Sequence, residues 1–446
     1  MLPRIVEELD QRIVNDATLT RALFAEIVDA QRELGLVFGD RPTCPFLRPH
    51  IIARSQYDEI VQAAGTIASA IEKLVNRALD QTELLARFGL TDGEEQMARI
   101  DPGYARLCIS SRLDSYVSES GFQFLEYNAE TPAGVGDQMQ LETVLFKLDH
   151  FKELLAQHRH WRPSPHQRLL RALLSAYREW GGEEEHPQIA IVDWKGVATE
   201  SEFHVLRDYF SREGYATVIC DPRELELRKG RLFVGDFRID VVYKRVIIHE
   251  FLETCATDHP LARAYADRRV CMINSFRSKI AHKKATFAML SDPRFSDLFT
   301  DDENKLIRRH IPWTRRVERT STIFDGNEYD LLDLIKNEQA RFVLKPNDDY
   351  GGHGVFLGWE CSSEQWEQAI ATAVDHAYVV QERVAFNKIS MPTFGDSVQL
   401  QELFVDFNPF LFENEPEGAL IRLSSSSLLN ITAGGGQTAL LVLEGM

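Results

Sequence analysis

Arg112, Asp114, Glu126 and Asn128 have the types and the spacing to hold a cation beside a phosphate. They lie in RLCISSRLDSYVSESGFQFLEYNAETPAG, where two runs of period two flank Glu119, Ser120 and Gly121. A three-residue hairpin loop commonly ends on a left-handed residue, which Gly121 supplies. A hairpin centred on Ser120 sets Asp114 opposite Glu126 and Arg112 opposite Asn128, and residues two apart in a strand share a face. Opposed carboxylates repel unless a cation lies between them. Magnesium takes oxygen ligands and keeps waters for phosphates, so it suits an Asp, Glu and Asn carboxamide set. Arg112 beside it suits a phosphoryl group in transfer. On spacing alone, a solvent-facing polar hairpin is an equal reading.

A second set lies far downstream. In RFVLKPNDDYGGHGVFLG a strand ends at Lys345, a turn holds Gly351, Gly352 and Gly354, and another strand starts at Val355. Glycines let backbone amides approach phosphate oxygens, and a lysine supplies charge. The loop lacks the GK[ST] ending and following helix of a Walker A, and it lacks GxGxxG spacing. A strand-loop-strand flap and a plain glycine-rich hairpin are the two readings. AYVVQERV reads as a strand ending at Gln381, Glu382 and Arg383, suited to a hinge whose backbone meets adenine or to simple core. Lys284 starts a helix in NSFRSKIAHKKATFAML, where it is either a phosphate contact or a solvated lysine. Asp406, Asn408, Arg422 and Gly434 to Gly436 are weaker candidates for the same neighbourhood. Lys244 and Arg245 read as a solvated strand end, with a substrate carboxylate as the alternative.

The positioning elements are mixed. Helical periodicity runs through MLPRIVEELDQRIV, Leu19 to Leu34 and Tyr57 to Leu79, with the connector RPTCPFLRP between the last two. Residues 106–128 turn strand-like and 138–156 return to helix. From Pro187, the strand QIAIVDW, the helix SEFHVLRDYFSREG and the strand ATVICD form a βαβ unit, implying a parallel sheet. RLFVG and IDVVYKRV follow as a strand pair. The tail reads as a helix near Lys283 to Leu290, a helix at Ser363 to Val374, and strands at Arg341 to Pro346, Ala377 to Val384, Val398 to Asp406, Leu420 to Ser424 and Thr438 to Leu443. The class is α/β combined with α+β.

At 446 residues the chain is expected to form two or three domains. No apolar run approaches the roughly 20 residues of a membrane span. The acidic first residues lack the form of a secretory signal, which makes the cytoplasm the expected location. Six cysteines without C-x-x-C spacing read as core thiols. A formal charge of -18 argues against nucleic-acid and anionic-membrane partners, while a local lysine cluster still admits a small anion such as ATP. Oligomeric state is not readable.

RLD, FLEYNAETPAG, HKKATFAML, VLKPNDDYGGHGV and VVQERV, in that order, resemble the circularly permuted ATP-grasp proteins. They are particularly similar to the synthetase domain of glutathionylspermidine synthase and related bacterial proteins. The metal strand precedes the nucleotide loop by more than 200 residues, the reverse of ordinary ATP-grasp order. The resemblance implies magnesium ligands at Asp114, Glu126 and Asn128, a phosphate-stabilising Arg112, nucleotide-phosphate lysines at Lys284 and Lys345, and an adenine-side hinge at Gln381 and Glu382. It further implies residues 1–165 as a helical region plus metal hairpin, 186–275 as a Rossmann-like preATP-grasp domain and 276–446 as nucleotide-binding lobes. The expected activity is ATP- and magnesium-dependent ligation of a small-molecule carboxylate to an amine through an acyl phosphate, on peptide-like, amino-acid or polyamine substrates. A phosphotransferase and a non-catalytic nucleotide-binding protein are the alternatives. No amidase segment is recognisable, and NDDYGGHG departs from the loop of the glutathionylspermidine enzymes.

Overall fold

The computed structural model of the chain describes residues 1–445 apart from 119–120, 350, 386, 427–428 and 430–434. Strands Ser110–Ser118 and Gly121–Asn128 pair antiparallel, with Arg112 opposite Asn128 and Asp114 opposite Glu126. Nearer the turn the register differs from the expected one. Ser118 pairs with Gly121 and Ser115 with Phe124, so the hairpin is not centred on Ser120. An irregularity beyond Asp114 leaves Leu125 as an extra residue, a bulge that brings the four polar residues back to the expected pairs. Phe122, Phe124 and Tyr127 stay in the core on the other face. Glu119 and Ser120 lie outside the described residues, as does Gly434.

This front hairpin does not stand alone. Ser110–Ser118 pairs with the 15-residue strand Val398–Phe412, which pairs in turn with Glu415–Ser424, itself bordered by Gly436–Thr438. The edge strand Lys388–Phe394, with Pro392 in it, pairs with the start of the long strand. Long Arg54–Asp80 packs its buried face against this sheet, and His50–Ala53, emerging from the Pro-rich connector, pairs parallel with Leu440–Leu443.

The βαβ unit gives a four-stranded parallel sheet in the order Cys271–Ile273, Val241–Lys244, Ile189–Val192, Thr217–Cys220. Ile189 and Ile191 face a core shared with helices Pro165–Glu179 and Glu200–Arg212, while Ala190 and Val192 face one shared with Pro260–Ala266. Burial on both faces is why QIAIVDW reads as a continuous apolar run. RLFVG and IDVVYKRV meet only where Leu232 pairs with Ile239. Arg231–Val234 belongs to a separate three-stranded sheet, and Val241–Lys244 enters the parallel one. A four-stranded antiparallel sheet, in the order Thr314–Arg316, Tyr378–Glu382, Phe342–Pro346, Phe356–Leu357, carries the glycine loop between its last two strands. The helix expected near Lys283 is Ala285–Leu290, with Lys284 at its N-cap, and residues 138–156 break into Asp137–Leu145 and Asp149–Gln157. Four cysteines are buried; Cys255 and Cys361 are half-buried.

Candidate functional site: one cleft from both ends of the chain

A cavity of about 560 Å³ is lined by Arg112, Asp114, Glu126 and Asn128 from the front hairpin and by Lys284, Lys345, Gly351, Gly352, Gln381 and Glu382 from the back. Gly354 does not line it. A Cβ there would lie 2.8 Å from Pro346 Cγ, so this glycine lets the loop close onto its own strand.

The front of the cleft is a network of charge-assisted hydrogen bonds. Arg112 donates to Asp114 from Nε (2.7 Å) and Nη2 (3.1 Å), Arg422 donates from Nη2 (2.8 Å), and Asn128 donates from Nδ2 (3.0 Å). Burial pushes the Asp114 carboxyl up, but the two guanidiniums outweigh it and hold it down to about 2. Arg422 also binds Asp406 from Nε at 2.8 Å. Asn408 donates to Asp406 at 2.7 Å and accepts from the Ser115 amide at 3.0 Å, which ties the long strand to the hairpin. Burial pushes Asp406 up to about 6 despite Arg422. Fixed guanidiniums therefore supply much of the positive charge that the opposed carboxylates Asp114 and Glu126 require. Asp406, Asn408 and Arg422, weak candidates by sequence, are integral to the cluster.

Glu126 is differently placed. Lys284 stands 3.6 Å from it, and its carboxyl is held below its ordinary value because Lys284 and Lys345 together outweigh burial and Asp114. Lys284 donates to the Asp349 carbonyl at 2.7 Å, and Lys345 to Gln381 Oε1 at 2.7 Å. Burial pulls the Lys345 ammonium down to about 8, resisted by Glu126. Gln381 also donates to Thr314 Oγ1 (3.1 Å) and to the carbonyl of the bulged Leu125 (3.3 Å). Its amide is thus committed beside Lys345. Glu382 pairs with Arg341 at 2.8 Å, and the Glu382 and Arg383 amides donate to the Trp313 and Arg341 carbonyls.

The donor set fits a hard cation. Glu126 leaves its oxygens toward the cavity, and Asn128 keeps a carboxamide oxygen while its amide meets Asp114. Asp114 already accepts four hydrogen bonds, so its entry into a metal's ligand set would displace one donor.

Behind the lysines lies a group that sequence reasoning missed. Lys279 reaches Asp348 (2.7 Å) and Glu130 (2.8 Å), while Lys283 reaches Asp348 (2.6 Å) and Glu94 (2.9 Å). Asn274 accepts from the Ile109 and Ser110 amides and donates to the Ser110, Ala129 and Glu130 carbonyls, pinning both ends of the hairpin to the parallel sheet. Lys244 and Arg245 are buried, contrary to a solvated strand end: Lys244 donates to the Val246 carbonyl and Arg245 to that of Pro132.

The chain is similar to known proteins in sequence and in fold. An uncharacterized protein of Mycobacterium leprae is 22% identical over 95% of this chain and 77% of its own length. A putative glutamate–cysteine ligase of Frankia casuarinae is 23% identical over 97% of this chain and 50% of its own length. The solved structure of a glutathione synthetase-like effector of Globodera pallida superposes with a TM-score of 0.61 at 14% identity, covering 96% of this chain and 98% of the other, a likeness of fold. The family described as circularly permuted ATP-grasp type 2 matches residues 94–424, which include every cleft residue described above, and the chain belongs to that family.

Proposed function

We propose that the protein is an ATP-dependent carboxylate–amine ligase that works through an acyl phosphate with magnesium. The observation that carries the reading is the convergence of Glu126 and Asn128 with Lys284, Lys345 and the Gly351–Gly352 turn in one cleft. The name of the Frankia relative, a ligase of glutamate and cysteine, adds support. Glutathionylspermidine-type substrates rest on motif resemblance alone and enter the screen as candidates.

In this reading a carboxylate oxygen of the acid substrate attacks the γ-phosphorus and the bond to ADP breaks. The amine nitrogen then attacks the acyl carbon, a C–N bond forms, phosphate leaves and the amine loses a proton. Lys284 and Lys345 hold the nucleotide phosphates, and Arg112, oriented by Asp114, faces the charge that builds on the phosphoryl group. The loop of Gly351, Gly352 and Gly354 shields the acyl phosphate from water. Gln381 fixes Lys345, and the backbone at Glu382 lies on the adenine side. Glu126, Asn128 and, after exchange of one donor, Asp114 would hold magnesium, which neutralises phosphate charge when bound. The parallel-sheet unit, residues 186–275, presents the non-nucleotide substrates.

Hydroxylamine trapping tests this. With ATP, magnesium and a panel of amino acids and peptides, a ligase yields a hydroxamate from its acid substrate. ATP consumption that yields a stable phosphorylated alcohol instead would establish a phosphotransferase.

A further inference from the structure

Beyond the phosphate-side groups the cavity continues to the carboxyl ends of the parallel strands. Ile189–Val192 lies between Thr217–Cys220 and Val241–Lys244, so the chain leaves it toward one neighbour and later returns on the other side. The crevice at such a reversal is where open parallel sheets receive ligands. Asp193 follows the first of these strands and Arg245 the second.

This end is acidic. Asp137, Asp193, Glu202 and Glu250 line it, with Arg245 the cation among them. Glu202 is 4% exposed, and its Oε1 accepts from the Gly134 (3.0 Å) and Gly136 (3.2 Å) amides. Among the described residues its Oε2 has no hydrogen-bond partner, and Arg245 Nη2 stands off at 3.8 Å. Arg245 is instead engaged by the Pro132 carbonyl and lies over the rings of Phe203 and Tyr243. Burial, with Glu202 adding to it, pushes the Asp137 carboxyl up to about 7, and burial pushes Asp193 up to about 6 against the pull of Arg245. Glu202 thus holds a buried carboxylate oxygen without a hydrogen bond among these acids, which is costly.

Among the described residues, metal-ligating atoms converge within 4.8 Å at Glu130, His282 and Asp348, where the Lys279 ammonium already lies, and not at these carboxylates. Val37, Phe38, Val197 and Ala198 give the same cavity apolar lining. The Gly39 amide donates to the Ala198 carbonyl (3.2 Å) and Ser201 Oγ to the Val37 carbonyl (3.0 Å), which fixes that lining. Acidic groups and hydrocarbon in one cavity match an alkyl chain that ends in an ammonium group.

Building on the ligase reading, we propose that this end of the cavity seats the amine co-substrate as an alkylammonium, with its chain against Val37, Phe38 and Val197 and its nitrogen donating to Glu202 Oε2 beside Asp137 and Asp193. The test uses the full chain without nucleotide, titrated with 1,4-diaminobutane, 1-butanol and succinate by calorimetry and ligand-observed NMR. The diamine should bind and the other two should not. Glu202→Gln keeps an acceptor for the Gly134 and Gly136 amides, and Asp193→Asn changes charge alone. Each should weaken the diamine by about tenfold, the loss of one charge-assisted hydrogen bond, with circular dichroism reporting that the fold persists. Preference for succinate, absence of diamine binding, or a diamine affinity indifferent to both substitutions overturns the proposal. Diamine binding in a chain that never consumes ATP would keep it and sink the ligase reading. Hydroxamate formation with an amine site insensitive to both substitutions would do the reverse.

Discussion

Arg422 binds Asp114 and Asp406 at once. Arg422→Met should therefore cost on the order of 3 kcal/mol, because it leaves the buried Asp406 without its cation and Asp114 with Arg112 alone; the urea midpoint reads this, and a loss below about 1 kcal/mol would count against the bridge. Acid should act through the other cluster. Burial favours the protonated forms of Glu130 and Asp348, yet Lys279, with His282 for Glu130 and Lys283 for Asp348, overrides it: Glu130 is held down to about 2 and Asp348 well below the usual carboxylate range. Unfolded, they take protons near 4.5 and 3.8, so in that window the unfolded chain binds more protons. Their contribution is complete above the unfolded values and is lost as pH falls through the folded ones. Asp348→Asn should flatten stability against pH between roughly 5 and 3, measured by urea melts across that range. At this scale the sequence was legible where chemistry repeats locally: Arg112 and Asp114, like Glu126 and Asn128, stand two apart and so declare a shared face. Asp406 and Arg422 face each other across paired strands, but 308 positions separate Arg422 from Asp114, and no local spacing announces that contact.

Among the elements, the glycine loop holds a position where a single methyl group would disturb the cleft. Gly354 sits at φ 66, and a Cβ would meet Pro346 Cγ at 2.8 Å and Tyr378 Oη at 2.9 Å. Gly235→Ala makes the control, since φ is 54 there and nothing lies within 4 Å. Gly354→Ala should cost about 1–3 kcal/mol of strain and weaken ATP in calorimetric titration, whereas Gly235→Ala should leave ATP affinity at the wild-type value. Elements buried on both faces, such as Ile189–Val192, were readable as apolar runs. Cys271–Ile273 and Thr314–Arg316 are three residues long, and Lys388–Phe394 contains Pro392, so each falls below what periodicity can signal. The bulge at Leu125 was hidden for a different reason: it restores the pairs that a regular hairpin would have made, and shows only in the register near the turn.

For the whole molecule, the decisive arrangement is the sheet in which the front hairpin takes its neighbour from Val398–Phe412. Residues 1–165 expressed alone should therefore fail to fold, with Phe122 and Phe124 exposed to dye binding, and adding residues 166–446 in trans should suppress that signal; a cooperative thermal transition in the isolated fragment would refute this. Helical and strand content were legible from periodicity, but the closing of front onto back was not, because pairing between distant strands leaves no periodic trace. Only the order of motifs hinted at it. The same sheet orders events in time. Synthesis from the amino terminus delivers Asp114 long before Arg422, 308 positions later. A nascent chain therefore carries Asp114 without the Arg422 guanidinium that ties it to Asp406, and the cleft stays incomplete until residue 422 has been made.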